Sequence, residues 1–194
     1  MPDDLKDKVI IITGGSLGIG AAAARALRAR GAAVAITGRS QETSRLAAEI
    51  GAEAFLADYK QFASVRELAS SLLERYPRID VLVNNVGAIM GDRHLTADGH
   101  EATLQVNHLG GFLLTALLQE RLSASGATVI NTSSIGNNLG KLDLDDLENA
   151  HSYDALRAYG TAKLMNILHA LELQRRYGDK INAASFHPGP VATG

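Results

Sequence analysis

No cysteine occurs anywhere in the 194-residue chain, which excludes disulfides, thiolate metal sites and cysteine nucleophiles. Tryptophan is also absent, aromatic residues make up only 5%, and there are four prolines. No run of about 18 apolar residues is present, so nothing reads as a membrane-spanning helix. Residues 1–8 are polar and acidic, unlike the basic-then-apolar start of a secretory signal. An excess of one charge is missing too: 19 Lys and Arg face 21 Asp and Glu, for a net −2. That leaves no basic field with which to hold a nucleic acid. The six histidines are scattered, and no metal site is expected from them. What remains is ordinary for a globular protein, 46% apolar and 21% charged, with enough chain to close a core. One cytoplasmic domain spanning 1–194 is expected.

Short apolar, β-branched runs alternate with longer helical patterns along the whole chain. The strand-like runs are 9–13, 33–37, 54–57, 81–84, 128–132 and 181–186. Helical patterns lie over 19–30, 41–50, 62–76, 101–123 and 156–177, with Gly31 and Pro77 as stops. This order predicts an α/β fold of Rossmann type, a doubly wound parallel sheet of about six strands with helices on both faces. One stretch breaks the pattern. Residues 136–154 are polar and acidic (Asp143, Asp145, Asp146, Glu148) and long for a connection, a length usually tied to function.

Residues 13–20, Thr-Gly-Gly-Ser-Leu-Gly-Ile-Gly, join the first strand to the first helix. At such a junction a diphosphate can approach bare backbone and face the positive end of a helix dipole. Gly14, Gly18 and Gly20 serve the turn, the close approach and the helix–strand packing, and Ser16, Leu17 and Ile19 complete the loop. The spacing is Gly-x-x-x-Gly-x-Gly, not the Gly-x-Gly-x-x-Gly dinucleotide fingerprint. The end of the second strand bears on cofactor choice. An NAD site usually carries an acidic residue there to accept from the ribose hydroxyls. Here Ile36-Thr37-Gly38-Arg39-Ser40 offers Arg39 instead, which can pair with a 2′-phosphate. NADP(H) is favoured over NAD(H).

Taken in order, several stretches resemble the short-chain dehydrogenase/reductase pattern across essentially the whole chain. They are the glycine loop, Asn84-Asn85-Val86-Gly87, Asn107, Ser134, Tyr159-x-x-x-Lys163 and Pro188-Gly189-x-Val191-x-Thr193. Within that family, residues 105–110, 129–134 and 186–189 are most similar to the retinol-dehydrogenase-like branch, as is the 25-residue step from Ser134 to Tyr159. The resemblance implies NAD(P)-dependent hydride transfer between nicotinamide and a small carbonyl or alcohol, a hydrophobic one in this branch. It implies an adenine contact for Asp58 and a course beneath the cofactor for Asn85, Val86 and Gly87. Pro188, Gly189 and Val191 would border the cofactor, and Thr193 would reach the nicotinamide carboxamide. Asn107 would hold a water connected to Lys163, the acidic insert would lie near the substrate mouth, and homo-oligomers would pair through the helices of Asn107 and Tyr159. Two residues depart from the pattern: Val86 stands where alanine is more usual, and Tyr59 follows Asp58 where a smaller residue is usual. The family also continues past the position of Gly194 through a substrate-covering segment and a seventh strand. Their absence is expected to leave the sixth strand as a sheet edge. It also motivates a second reading, a truncated chain that binds cofactor with weak or no catalysis.

Reducing a carbonyl by hydride requires a proton for the developing alkoxide, and the reverse reaction requires a base. A free tyrosine, with a pKa of about 10, is a poor base at neutral pH, and a nearby ammonium favours the phenolate. Tyr159 and Lys163 are four apart, so on a helix they emerge on one face a turn apart. Tyr153 and Arg157 share that spacing but lie in or beside the loop. Ser134, at the carboxyl end of strand five, faces the same crevice and can donate to a substrate oxygen. Alternation sends Ser133 the other way. Asn107 sits in an otherwise apolar helix, where a buried amide demands partners. The expected catalytic set is therefore Asn107, Ser134, Tyr159 and Lys163, the last two also bordering the cofactor. His108, His151 and His187 lie near these motifs and are given no catalytic role.

Overall fold

The computed structural model describes residues 4–189. Six strands, β1 (Val9–Ile12), β2 (Ala33–Gly38), β3 (Glu53–Leu56), β4 (Val81–Asn84), β5 (Thr128–Thr132) and β6 (Asn182–Phe186), form one sheet in the order β3-β2-β1-β4-β5-β6. Every pairing is parallel. Parallel neighbours need crossovers, and helices supply them: α1 (Gly18–Ala29), α2 (Gln41–Ile50), α3 (Phe62–Arg75), α4 (Ala102–Leu104), α5 (Gly110–Ser125) and α6 (Ala155–Tyr177).

Side-chain alternation along the strands divides the interior in two. Ile11, Leu82 and Val129 point toward Val65, Leu68 and Leu72 of α3 and Leu114, Leu118 and Leu122 of α5. Ile10, Ile12, Val34 and Ile36 point the other way, onto Ala24 of α1 and Leu46 and Ala47 of α2. Both clusters are built on the same sheet. The sheet is buried on both faces over β1 and β2, and this is why those runs are apolar at successive positions. Strand β6 is one edge among the described residues, and its Asn182, Ala184 and Phe186 are exposed.

Most boundaries fall within a residue or two of the sequence reading, as helix and strand ends commonly do. The expected single helix over 101–123 is the exception. It begins as α4, opens into a π-helical turn over Gln105–Leu109, and resumes as α5 to Ser125. The 136–154 stretch is a long connection, as expected, and it is pinned at several points. A 3₁₀ turn (Ile135–Leu139) opens it, and Asp154 closes it by accepting from the Arg157 N–H at the start of α6. Between them, Glu148 accepts from the Glu101 backbone and bonds His100 Nδ1 at 2.7 Å. The Tyr153 hydroxyl bonds Thr103 Oγ1 at 3.1 Å.

β1 and β4 are adjacent, while β2 and β5 lie outside them on opposite sides. The strand order reverses at this pair, and in sheets of this kind a crevice opens there at the carboxyl ends of the strands.

Candidate active site

A cleft of about 560 Å³ lies at those carboxyl ends, lined from the glycine loop across to Gly189. Among the expected site residues that are described, all but Gly20 and Asn107 line it. Val191 and Thr193 lie outside the described residues.

One end of the cleft is backbone. Gly14 and Gly18 adopt φ of +62° and +51°, a region that L side chains avoid. A Cβ on Gly20 would sit 2.2 Å from the Gly14 carbonyl oxygen, so α1 can begin this close to the loop only with a glycine there. Leu17 caps α1 without any side-chain acceptor, and the first turn holds no acidic residue. The leading N–H groups and the positive end of the dipole thus stay available to an anion. Thr13 and Asn85 fix the loop: the Asn85 amide donates to the Thr13 and Gly14 carbonyls at 3.1 and 3.2 Å, and Thr13 Oγ1 accepts from the Asn85 N–H at 2.9 Å. Arg39 is exposed at the rim beside Gly38 and Asp58. The Asp58 carboxylate accepts from the Lys60 N–H at 2.9 Å, and Ser64 Oγ accepts from the Asp58 N–H at 3.0 Å. Tyr59, bulky where the pattern is small, is buried under the cleft with its ring against Gly110.

The other end carries polar side chains. Lys163 is 2% exposed and donates from Nζ to the Thr132 carbonyl at 3.2 Å. Its Nζ is 5.4 Å from the centroid of the Tyr159 ring. Burial draws its pKa down to about 8 because the cation loses water. At pH 7 the ammonium still predominates. Gly87 makes room for it, since a Cβ there would lie 2.7 Å from both Lys163 Nζ and Asn107 Oδ1.

The serine pair divides as strand alternation requires. Ser133 is buried and donates to the Lys163 carbonyl at 2.9 Å. Ser134 Oγ accepts from the Gly136 N–H at 3.1 Å, which leaves its own O–H to donate elsewhere. A Cβ on Gly136 would lie 3.3 Å from the Tyr159 ring and 3.4 Å from Ser134 Oγ, so both groups flank the same small space. The turn beside them presses onto α6, where the Gly160 Cβ position is only 2.4 Å from the Gly136 carbonyl.

Asn107 stands behind the cleft wall in the π turn. Its side chain is committed to backbone: Nδ2 donates to the Ala88 and Thr103 carbonyls at 2.8 and 2.9 Å, and Oδ1 accepts from the Ala88 N–H at 3.1 Å. The sequence reading left out a cluster next to it. His108 Nδ1 meets Asn166 Oδ1 at 2.9 Å, and Asn131 links Asn84 to Asn166 through its side-chain amide. Burial lowers the pKa of His108 and takes that of His169 to about 4, so both imidazoles are neutral at pH 7. His187 was also given no role. Its Nδ1 accepts from the Ile135 N–H at 3.1 Å and so ties the exits of β5 and β6 together.

No group of three or more metal-ligating side chains occurs among the described residues, and no helix among them is long and apolar enough to cross a membrane.

Comparison with known proteins gives the same reading from a separate direction. The "Putative daunorubicin C-13 ketoreductase DnrU" of Streptomyces sp. (strain C5) is 46% identical over 197 residues, covering 97% of this chain and 68% of its own length. Human retinol dehydrogenase 12 is 39% identical, covering 96% of this chain and 62% of its own length. This chain therefore spans about two thirds of each relative. Among solved structures, the Pseudomonas aeruginosa RhlG/NADP active-site complex superposes with a TM-score of 0.77 at 29% identity, over 97% of this chain and 74% of that one. The profile of the short chain dehydrogenase family matches residues 8–194, and with the parallel sheet and its glycine-loop cleft this makes the chain a member of that family.

Proposed function

We propose that the chain is an NADPH-preferring oxidoreductase that interconverts a hydrophobic carbonyl compound and its alcohol, with Tyr159 as general acid and base. The observation that carries this reading is the Tyr159–Lys163 pair at the cleft, with a buried ammonium 5.4 Å from the phenol ring. When bound, the nicotinamide cofactor supplies or takes the hydride.

The chain's own groups do the rest. The glycine loop and the uncapped start of α1 hold the diphosphate. Arg39 pairs with the 2′-phosphate by charge-assisted hydrogen bonds, and Asp58 borders the adenine. Asn85, Val86, Gly87, Pro188 and Gly189 bound the remainder of the cofactor. Ser134 donates its free O–H to the substrate oxygen. Tyr159 gives a proton to that oxygen in reduction and withdraws one from the alcohol in oxidation. The Lys163 ammonium favours the phenolate that this cycle passes through and contacts the cofactor ribose. NADPH is favoured by Arg39 and by the absence of a carboxylate at the end of β2. A hydrophobic substrate is favoured by Met90 in the cleft wall and by exposed Ile89, Ile135 and Leu139 on the segments leaving β4 and β5.

Fluorescence titration of the purified chain with NADPH and with NADH tests the cofactor assignment. Saturable binding that prefers NADPH is expected, and equal affinity for the two removes the role given to Arg39. Tyr159→Phe is then assayed on a panel of aldehydes and ketones. Loss of turnover with cofactor binding retained is expected; retained turnover refutes the acid–base role. Cofactor binding without turnover in the unaltered chain supports instead a chain that binds cofactor with weak or no catalysis.

A further inference from the structure

Behind Lys163 lies a buried side chain that the proposed chemistry does not use. Asn166 lies three residues further along α6, is 6% exposed, and has its amide committed on both sides. Nδ2 donates to the Asn107 carbonyl at 3.0 Å and to the Thr132 carbonyl at 3.2 Å. The Thr132 oxygen is the one that also accepts from Lys163 Nζ. The π turn makes the first of these contacts available. There the Gly110 N–H reaches back five residues to Gln105, and within the turn the Asn107 carbonyl takes a side-chain donor.

Two carbonyls on one side fix which end of the amide is nitrogen. Oδ1 must then face His108, so the His108 nitrogen 2.9 Å away carries the proton of that bond. Desolvation, with a smaller contribution from the Lys163 charge, holds the His108 pKa below its ordinary value. The ring is neutral and gives its Nδ1 proton to Asn166.

We propose that Asn166, oriented by His108, is a positioning residue for Lys163: it occupies the second lone pair of the Thr132 carbonyl and so directs the remaining ammonium protons toward the cleft. This rests on the reading of Lys163 as a cofactor-contacting group. Without Asn166, the Thr132 oxygen has one lone pair unclaimed, and the ammonium can shift to bond that oxygen more closely, which draws Nζ away from the cofactor. The same amide ties β5 to the π turn, so one side chain sets both walls against which Lys163 is packed.

The test exploits the placement of one donor. An asparagine amide nitrogen sits at the branch position of histidine Nδ1, whereas a glutamine amide extends one bond further, toward the Nε2 position. His108→Asn therefore keeps the donor to Asn166 and His108→Gln displaces it, although both remove the ring. NADPH binding is read from cofactor fluorescence on the full chain, which has no tryptophan to interfere, and thermal melting confirms folding. His108→Asn should bind within about twofold of the unaltered chain. His108→Gln and Asn166→Ser should weaken binding about 5- to 10-fold, the scale of one ordinary hydrogen bond, and Lys163→Ala sets the upper limit. If His108→Gln does not fold, Asn166→Ser carries the same decision. If Lys163→Ala weakens binding but Asn166→Ser does not, or His108→Asn and His108→Gln behave alike, the positioning role is wrong and the reading of Lys163 stands. If Lys163→Ala itself binds NADPH like the unaltered chain, both fall.

Discussion

Adding a single methyl group at Gly160 tests whether the insert positions the proposed catalytic pair. Gly160 is in the interior of α6 directly after Tyr159, and propensity alone predicts that Gly160→Ala stabilises the helix by about 1 kcal/mol. The surroundings predict the opposite. The new Cβ would lie 2.4 Å from the Gly136 carbonyl oxygen, 2.9 Å from the Gly140 nitrogen and 3.3 Å from the Leu139 carbonyl carbon. All three are backbone atoms of the turn that follows β5, so no flexible side chain can give way. Relief requires the turn to move outward by about 1 Å. Overpacking of this kind costs about 1–3 kcal/mol, and a contact this short with three backbone atoms falls in the upper half of that range. After the propensity gain, a net loss of about 1–2 kcal/mol remains, or roughly 2–8 °C in Tm for a chain of this length. The functional effect should be larger, because the same movement separates Ser134 and Gly136 from Tyr159. A misplacement of about 1 Å at a reacting centre can cost about 100-fold in rate. NADPH affinity should stay within about twofold, because the diphosphate loop is at the other end of the cleft. Urea melts, NADPH titration and carbonyl reduction measured on one preparation separate the three effects. A Gly160→Ala protein that is about 1 kcal/mol more stable and fully active refutes the argument, and shows that the insert does not bear on Tyr159.

Three further outcomes follow from the cleft. Gly20→Ala should abolish measurable NADPH binding while the chain still folds, since its Cβ would meet the Gly14 carbonyl at 2.2 Å; fluorescence titration with circular dichroism checks both. Arg39→Ser should weaken NADPH about 10- to 100-fold, the equivalent of about 1.5–3 kcal/mol for hydrogen bonds to a charged group, and leave NADH unchanged; a parallel loss for both cofactors contradicts the 2′-phosphate role. Lys163 has a folded pKa of about 8 against about 10.4 in an unfolded chain, so between those values the unfolded state binds more protons. Its contribution should therefore make the cofactor-free protein more stable as pH rises from about 8 to about 10.4, by at most about 3 kcal/mol. Urea melts of the unaltered chain and Lys163→Met at pH 7.5 and 10 check the sign, and a stability difference independent of pH contradicts it.

The sheet was legible because β1, β2, β4 and β5 are short, largely apolar and β-branched, and all six strands are separated by helix-length segments. Parallel pairing then follows from the helical crossover between each pair of successive strands. The break in the 101–123 helix was not legible. Nothing in Gln105-Val106-Asn107-His108-Leu109 disfavours an ordinary helix, and the π turn is accompanied by long-range contacts to Ala88 and Asn166. The contacts that pin the insert were not legible for a similar reason. Asp143 and Asp145 are exposed, but Glu148 reaches the start of α4, which is 47 residues away in sequence, and Asp146 accepts from the Ala150 and His151 N–H groups within its own turn.

In the cleft, the groups visible in the sequence are those whose geometry is local. A glycine loop between a strand and a helix, a Tyr and Lys one helical turn apart, and a serine at a strand end each carry their spacing in a few residues. The amides behind them do not, yet they left a trace. Asn84 ends Val-Leu-Val-Asn, Asn131 interrupts Thr-Val-Ile-Asn-Thr, and Asn166 sits in Leu-Met-Asn-Ile-Leu. Each is a polar group placed where its element is otherwise apolar, and a buried amide without partners costs several times what a made hydrogen bond contributes. Once β4 and β5 are known to be neighbours with α6 packed against β5, these three amides find their partners in one another, in backbone, and in Thr115, His108 and His169 beside them. The chain they form, Asn84 to Asn131 at 2.9 Å and Asn131 to the Asn166 carbonyl at 3.1 Å, is therefore a consequence of topology acting on isolated polar residues. Through the Asn166 side chain it reaches the Thr132 carbonyl, which also accepts from Lys163, and for that reason the stability of this layer and the placement of the ammonium cannot be altered independently.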